Sequence, residues 1–555
     1  MTGPAAPKDP EKARPFFYIL KDKDIFGERQ KDGTGIQFIY ESDGRLINSA
    51  QITGNVTDKE ELTLLETVEG FGRLVHSIGV SVETDRPEET AEFVFQMYGK
   101  KDLYGGGTNL TTSLKCDGME HRIYLSDYRW TEDDHVPGQI KILFAAPERM
   151  GKVSVRLFLN DGYEAPPEEE DLVIDMHSEE YCGMISRSLL QLGNPYRIRK
   201  AIEKSKAGKE VTLAYIGGSI TQGAGAIPIH TECYAYKSFQ LFQNRFSTQN
   251  NVRFIKAGVG GTPSELGMIR FDRDVLREGE RPDIVVIEFA VNDEGDETKG
   301  VCYESLVRKV LKLPWKPAVV LLFSVFANDW NLQERLRPVG DLYDLPMVSI
   351  RDAVTPQFSL KCGEGRILSK NQFFYDIFHP NNIGHTIMAD CLQYLFECCD
   401  AAEPARVGTF VEGIMEEQIL SEKLSGPAVI GADFERIFLL DKKNRYVGAE
   451  IRAGSFTSTD IELQSVEMDG NLTQTPEFPY NWMYDGSRPQ MPGFEMEITC
   501  KSLFLIFKDS GEMDVGKADV FVNDVYCMTA DPHKNNWLPK ASLAEKPSHW
   551  LRCHP

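Results

Sequence analysis

The chain has 555 residues, 41% of them apolar and 26% charged, with a formal net charge of −23. That length exceeds what one hydrophobic core organises, and about 150 residues per domain suggests roughly three or four domains. The acidic balance argues against nucleic acid and against anionic membrane surfaces as partners, since both call for clustered Lys and Arg. No apolar run reaches the ~18 residues that read as a membrane span.

Residues 1–190 read as an N-terminal β-sandwich domain with a linker. Short apolar or alternating runs, Phe16 to Leu20, Ile36 to Tyr40, Ala91 to Met97, His121 to Leu125 and Lys152 to Leu159, are separated by turn signals. Gly105-Gly106-Gly107 is a loop, and the acidic, proline-marked stretch from Ala165 to Asp171 is the linker. Before them, Met1 to Arg14 lacks the apolar core of a secretory signal, which points to a cytoplasmic location.

The texture changes near Asn194, and residues 191–402 read as a second domain. Continuous apolar runs at 211–216, 252–257, 283–289 and 318–324, with a weaker one at 346–350, alternate with helix-length amphipathic stretches at 233–246, 263–278, 300–312 and 382–397. Strands buried on both faces and separated by helices predict a doubly wound α/β domain with a parallel sheet, flavodoxin-like and three-layered. Residues 403–555 return to short strands, at Ile437 to Leu440, Gly448 to Ile451, Ile461 to Val466, Ser502 to Phe507 and Ala518 to Val522. They predict a second β-sandwich, ending in an irregular tail from Asp531. Eleven cysteines without a paired CxxC motif speak against a zinc site and for a reducing compartment. Cys398 and Cys399 read as core residues.

The chemistry concentrates in the second domain. Ligands of open parallel sheets bind beyond the carboxyl ends of the strands, so each loop there is a possible wall of one site. The first loop, Gly217-Gly218-Ser219-Ile220-Thr221, offers a serine hydroxyl. The second, Ala257 to Pro263, is rich in glycines whose N–H groups can approach a reacting oxygen. The third, Ala290-Val291-Asn292-Asp293, offers a side-chain amide. The fourth, Asp376-Ile377-Phe378-His379, can place a base and the carboxylate that orients it on one turn. Gly218 to Gly223 also has the spacing of a phosphate loop, but Ala224-Gly225 follows where Lys-Ser/Thr is required. Thr221 fills the last position of the Gly-x-Ser-x-Gly elbow of the α/β-hydrolases, so that motif is absent too.

In this order the four blocks resemble the SGNH (GDSL-like) hydrolase family over roughly residues 195–400. The resemblance implies Ser219 as nucleophile, His379 as base and Asp376 as its orienter. It implies an oxyanion hole formed by Ser219, Gly261 and Asn292, and neither metal nor organic cofactor. The chain departs from the family pattern at Gly218, where Asp is usual, at Ala290, where Gly is usual, and at Lys256, where Asn is common. The predicted flanking sandwiches resemble the jelly-roll modules found beside such domains in bacterial carbohydrate esterases.

The resulting expectation is a serine esterase that removes short acyl groups, above all acetyl, from a carbohydrate partner through an acyl-serine intermediate. A lipase, thioesterase or arylesterase is the alternative within enzymes, and a carbohydrate-binding protein with a relict hydrolase domain is the alternative outside them. Other residues near the motifs have plainer readings. Asp293 ties loops together, and His385 belongs to the surface or core of a helix. Trp330, Tyr375 and His230 either line a pocket or pack against the core.

Overall fold

The computed structural model describes residues 12–40, 45–102, 105–168, 170–277, 279–402, 412–461, 465–466, 475–476, 478–486, 493–509, 515–533, 541–545 and 549–554. Two antiparallel sheets form the N-terminal part. One runs in the order Phe16–Phe26, Met150–Leu159, Val75–Thr84, His121–Tyr124, and the other Glu28–Arg29, Gly35–Tyr40, Asp134–Phe144, Thr90–Gly99, Asn109–Lys115. Alternation along the strands brings Phe17, Ile19, Phe93, Phe95, Val155 and Leu157 into one shared core.

Three helices, Arg45–Thr53, Lys59–Leu64 and Val68–Leu74, interrupt this region, where the sequence suggested only strands. The second carries a start signal in its residues: Asp58 accepts hydrogen bonds from the N–H groups of Glu60 and Glu61. The first helix leans toward the next domain, and its Ile52 packs against that domain's core.

The middle domain is built on a six-stranded sheet. Its spatial order is Leu189–Gln191, Met347–Ser349, Ala318–Phe323, Ile284–Glu288, Val211–Gly217, Val252–Gly258. The last five are parallel, but Leu189–Gln191 joins the edge antiparallel to Met347–Ser349. The sheet is therefore mixed rather than purely parallel. Every residue of Val211–Gly217, Ile284–Glu288 and Ala318–Phe323 is buried, as the apolar runs required. Helices cover both faces and make two separate cores. The Val211–Gly217 strand lies between the strands that follow it in the chain. The order therefore switches direction between Val211–Gly217 and Ile284–Glu288, where a crevice opens in sheets of this type. Helices Gln333–Tyr343 and Ile350–Phe358, each with an internal proline, add to the elements read from the sequence.

Beyond the middle domain the helix Glu412–Ser425 forms where strands were expected, anchored by Glu417 to Arg197 at 2.9 Å. The following segment straps across the middle domain. Buried Glu304 accepts hydrogen bonds from the N–H groups of Val429, Ile430 and Gly431 at 3.0, 2.5 and 2.8 Å. Ile437 and Leu439 lie in this strap, packed on the second core, and form no strand. A five-stranded antiparallel sheet follows, ordered Ala449–Arg452, Phe494–Ile498, His549–His554, Ala518–Val522, Val525–Ala530. The strand His549–His554 occupies its centre, so the supposedly irregular tail supplies the middle of the sheet. Of the expected strand Ile461 to Val466, residues 462–464 lie outside the described residues. No described helix is long and apolar enough to cross a membrane.

Candidate active site

The Val211–Gly217 strand ends at the switch point, and Ser219 opens the short helix Ser219–Gln222 that follows. A helix start leaves its first N–H groups without intrahelical acceptors. The Ser219 N–H accordingly meets no protein acceptor among the described residues. Beneath the serine, Thr221 exchanges a hydrogen bond with the Tyr234 hydroxyl at 2.8 Å and donates to Glu288 at 3.1 Å. Burial raises the Glu288 carboxyl to about 7, although Thr221 and the Gly218 N–H both donate to it. The residue that breaks the nucleophile-elbow pattern thus fixes the turn from below.

The fourth loop is closed at its base by a bridge between Phe374 and Pro380 and by the Tyr375 N–H donating to the His379 carbonyl at 2.8 Å. Within it, Asp376 Oδ1 accepts from the N–H groups of Phe378 at 2.7 Å and His379 at 2.8 Å. The His379 Nδ1 lies 2.9 Å from Asp376 Oδ2, and its Nε2 lies 2.9 Å from Ser219 Oγ. Burial by itself would raise the Asp376 carboxyl. The charge and hydrogen bond of His379 and the two backbone donors outweigh it and hold the group below the usual carboxylate range. An ionised carboxylate only accepts, so Nδ1 carries the imidazole proton and Nε2 is left to accept from Ser219. Gly225, at φ +86°, lets this loop approach, since a Cβ there would come within 3.0 Å of the Pro380 carbonyl.

The glycine loop supplies backbone donors beside the serine. The Gln222 side chain accepts from the Gly260 N–H at 2.7 Å, which occupies that donor. The Gly261 N–H meets no protein acceptor among the described residues, and its φ of +69° is one that glycine adopts without strain. The side-chain amide of Asn292 lies against Gly218, and its Nδ2 reaches no acceptor among the described residues. Asp293 accepts from the Ser264 N–H at 2.7 Å, which ties the Asn292 loop to the helix following the glycine loop. All five residues singled out from the sequence, Ser219, Gly261, Asn292, Asp376 and His379, therefore line one edge of the sheet.

Several supports of this site were not identified as such from the sequence. Arg270, fully buried on the helix Ser264–Phe271, donates to the carbonyls of Ala257 at 2.6 Å and Gly217 at 2.8 Å. It clamps together the ends of the two strands that carry the serine and the glycine loop. Lys256, also fully buried, donates to the Gln222 carbonyl at 2.9 Å and so closes the short helix behind Ser219. His385 is core rather than surface. It accepts from the Tyr234 N–H and donates to the Ala224 carbonyl, both at 3.1 Å, and burial lowers it to about 3, so the ring is neutral. On the open side, half-buried Trp330 stacks on Phe326 with ring centroids 5.7 Å apart. Phe326 meets Phe378 edge-on at 5.1 Å, and Phe378 adjoins the His379 ring at 6.1 Å. Tyr375 and His230 are half-buried.

The sequence pattern of the GDSL-like lipase/acylhydrolase family matches residues 215–387, which contain all four loops. That match marks a GDSL-like domain within the chain. The chain is accordingly a carboxylic ester hydrolase. A crystal structure of a two-domain esterase active on acetylated mannans aligns with this chain at 24% identity and a TM-score of 0.52, over 67% of this chain and 93% of the other. A second such structure, co-crystallised with mannopentaose, aligns at 23% identity and a TM-score of 0.50, over 67% and 94%. These alignments establish a shared fold. No curated protein sequence matches the chain significantly.

Proposed function

We propose that this GDSL-like hydrolase is a serine esterase that removes acetyl groups from carbohydrate. One observation carries the reading: the unbroken line from Ser219 Oγ through His379 to ionised Asp376, with 2.9 Å at each junction. In that geometry Ser219 Oγ attacks the ester carbonyl carbon while His379 Nε2 takes its proton. The tetrahedral oxyanion is received by the N–H groups of Ser219 and Gly261 and by Asn292 Nδ2. His379 then returns the proton to the departing sugar oxygen, leaving acyl-Ser219. A water deprotonated by the same imidazole releases acetate and restores the serine. Asp376 keeps the imidazole in the required tautomer and stabilises the imidazolium in both halves.

The carbohydrate reading rests on two supports. The Trp330–Phe326–Phe378 group beside His379 offers the aromatic faces on which the apolar side of a pyranose ring packs. The mannan-active esterases share the fold. The antiparallel sheets on either side, read as jelly-roll-like sandwiches, fit the same picture.

Two measurements test this. Ser219→Ala should abolish release of acetate from acetylated oligosaccharides and of nitrophenol from 4-nitrophenyl acetate. Full retained activity in the variant would reject the nucleophile. A chain-length series of nitrophenyl esters should peak at acetate, whereas a peak at octanoate would favour a lipid ester as substrate. Binding of oligosaccharide without any turnover would favour the relict-hydrolase reading.

A further inference from the structure

A lysine of the N-terminal part reaches the base of the active-site loop. Lys23 lies on the strand Phe16–Phe26, yet it is 2% exposed. A lysine in a surface strand ordinarily keeps its ammonium in water, because burying an unpaired cation is costly. Here the register with Met150–Leu159 shifts between Leu20 and Lys23, and Asp22 takes a left-handed φ of +53°. Such a bulge re-aims the side chains that follow it. Ser154 pins the bulge: its hydroxyl accepts from the Asp22 N–H at 2.9 Å and donates to the Asp22 carboxylate at 3.1 Å.

The redirected ammonium enters the middle domain. Lys23 Nζ donates to the carbonyl of Phe374 at 2.5 Å and to that of Asn371 at 3.3 Å. Both carbonyls belong to the short helix Lys370–Phe373 and its cap, which lead directly into Tyr375 and Asp376. Phe374 is also one side of the bridge that closes the loop bearing Asp376 and His379. The neighbouring Phe373 carbonyl accepts from the Asn381 N–H at 2.8 Å, on the loop's far side. Beside this contact the helix Arg45–Thr53 of the N-terminal part packs Ile52 into the middle core. The ammonium thus stands one peptide from the start of the loop.

We infer that Lys23 is a positioning residue: the N-terminal β-domain uses its buried ammonium to brace the base of the Asp376–His379 loop, so that the hydrolase site is complete only with that domain docked. The brace rests on the triad reading proposed above. It touches neither substrate nor reacting atoms and acts only through the backbone that sets where Asp376 holds the imidazole. Small displacements of such a group are felt in the rate of the chemical step more than in binding of a small substrate.

The test uses the full chain and 4-nitrophenyl acetate. Lys23→Met keeps the stem and removes the charge. It should lower kcat on the order of tenfold, the scale of one lost charge-assisted hydrogen bond, with KM within about twofold. The fraction of protein whose Ser219 reacts with an organophosphonate should remain near that of the wild type, which separates a slowed site from an unfolded one. In Lys23→Ala, added propylammonium should restore part of kcat in a saturable way. A folded Lys23→Met variant with wild-type kcat would overturn the brace, as would a loss that lies wholly in the labelled fraction. If Lys23→Met does not accumulate folded, Ser154→Ala leaves the ammonium but unpins the bulge and should lower kcat several-fold at unchanged KM, and no change there would equally overturn the proposal. Ser219→Ala, run in parallel, distinguishes failure of the brace from failure of the triad: activity in that variant would remove the triad itself.

Discussion

The side-chain amide of Asn292 lies directly on Gly218, so close that a Cβ on Gly218 would stand under 3.0 Å from three of the amide's atoms. Gly218 takes φ −87° with ψ −146°, and its missing Cβ leaves the space that the amide fills. The departure from the usual Asp at this position therefore belongs with the placement of the Asn292 amide, the proposed oxyanion donor. Gly218→Ala should displace Asn292 and lower kcat toward the value for Asn292→Ala, about 10²–10³-fold below wild type for one lost oxyanion donor. KM for 4-nitrophenyl acetate should change little in either variant, and the double variant should be no slower than Asn292→Ala alone. Additive losses would show that the two residues act separately.

Asp376→Asn should be among the most damaging isosteric changes in the protein. The amide can donate to His379 Nδ1 and so favour the tautomer in which Nε2 carries the proton and cannot accept from Ser219. A loss of about 10⁴-fold in kcat is the expected scale for that tautomer error. The backbone donors of Phe378 and His379 would still find the Asn oxygen. The fold should therefore survive, and circular dichroism and the melting temperature should stay close to wild type while turnover collapses.

Stability should fall with rising pH between about 4 and 8. Burial raises the Asp293 carboxyl to about 8 and that of Glu288 to about 7. Unfolded carboxyls titrate near 4. Across that window the folded protein holds protons that the unfolded chain has released, so each group's stabilising contribution is full at low pH and lost as pH rises through its folded value. Asp376, held below the usual range, acts in the opposite sense, and its contribution is lost only at lower pH. Neutral His385, lowered to about 3, also opposes the two carboxyls, and below about pH 6.5 it offsets one of them, so the decline is steepest above that pH. Thermal melts from pH 5 to 8.5 should show a declining midpoint in the wild type and a flatter profile in Asp293→Asn and Glu288→Gln. A wild-type midpoint that rises over this range would contradict the assignment.

The motif residues were readable because each depends on a local arrangement. A run buried on both faces that stops at Gly217-Gly218-Ser219 has few other uses, and Asp376 with His379 needs only one turn of chain to meet. The helix Lys59–Leu64 had a signal too, in Asp58 followed by Glu60 and Glu61, but the strand texture around it dominated. The helix Glu412–Ser425 and the central strand His549–His554 were not legible. The strand's place is set by partners, Phe494–Ile498 and Ala518–Val522, far from it in sequence.

By itself the sequence determined the order of buried strands, the four loops at their ends and the residue types that esterase chemistry needs there. These follow from apolar periodicity and from spacings of a few residues. Only the tertiary structure decided which charged residues are internal. Arg270, Glu304 and Lys23 carry no sign of burial in the sequence. Each is buried because carbonyl or N–H groups far along the chain converge on it, Gly217 and Ala257 on Arg270 and Phe374 on Lys23. A buried charge is tolerated only where such partners replace water, and that convergence is a property of the folded arrangement.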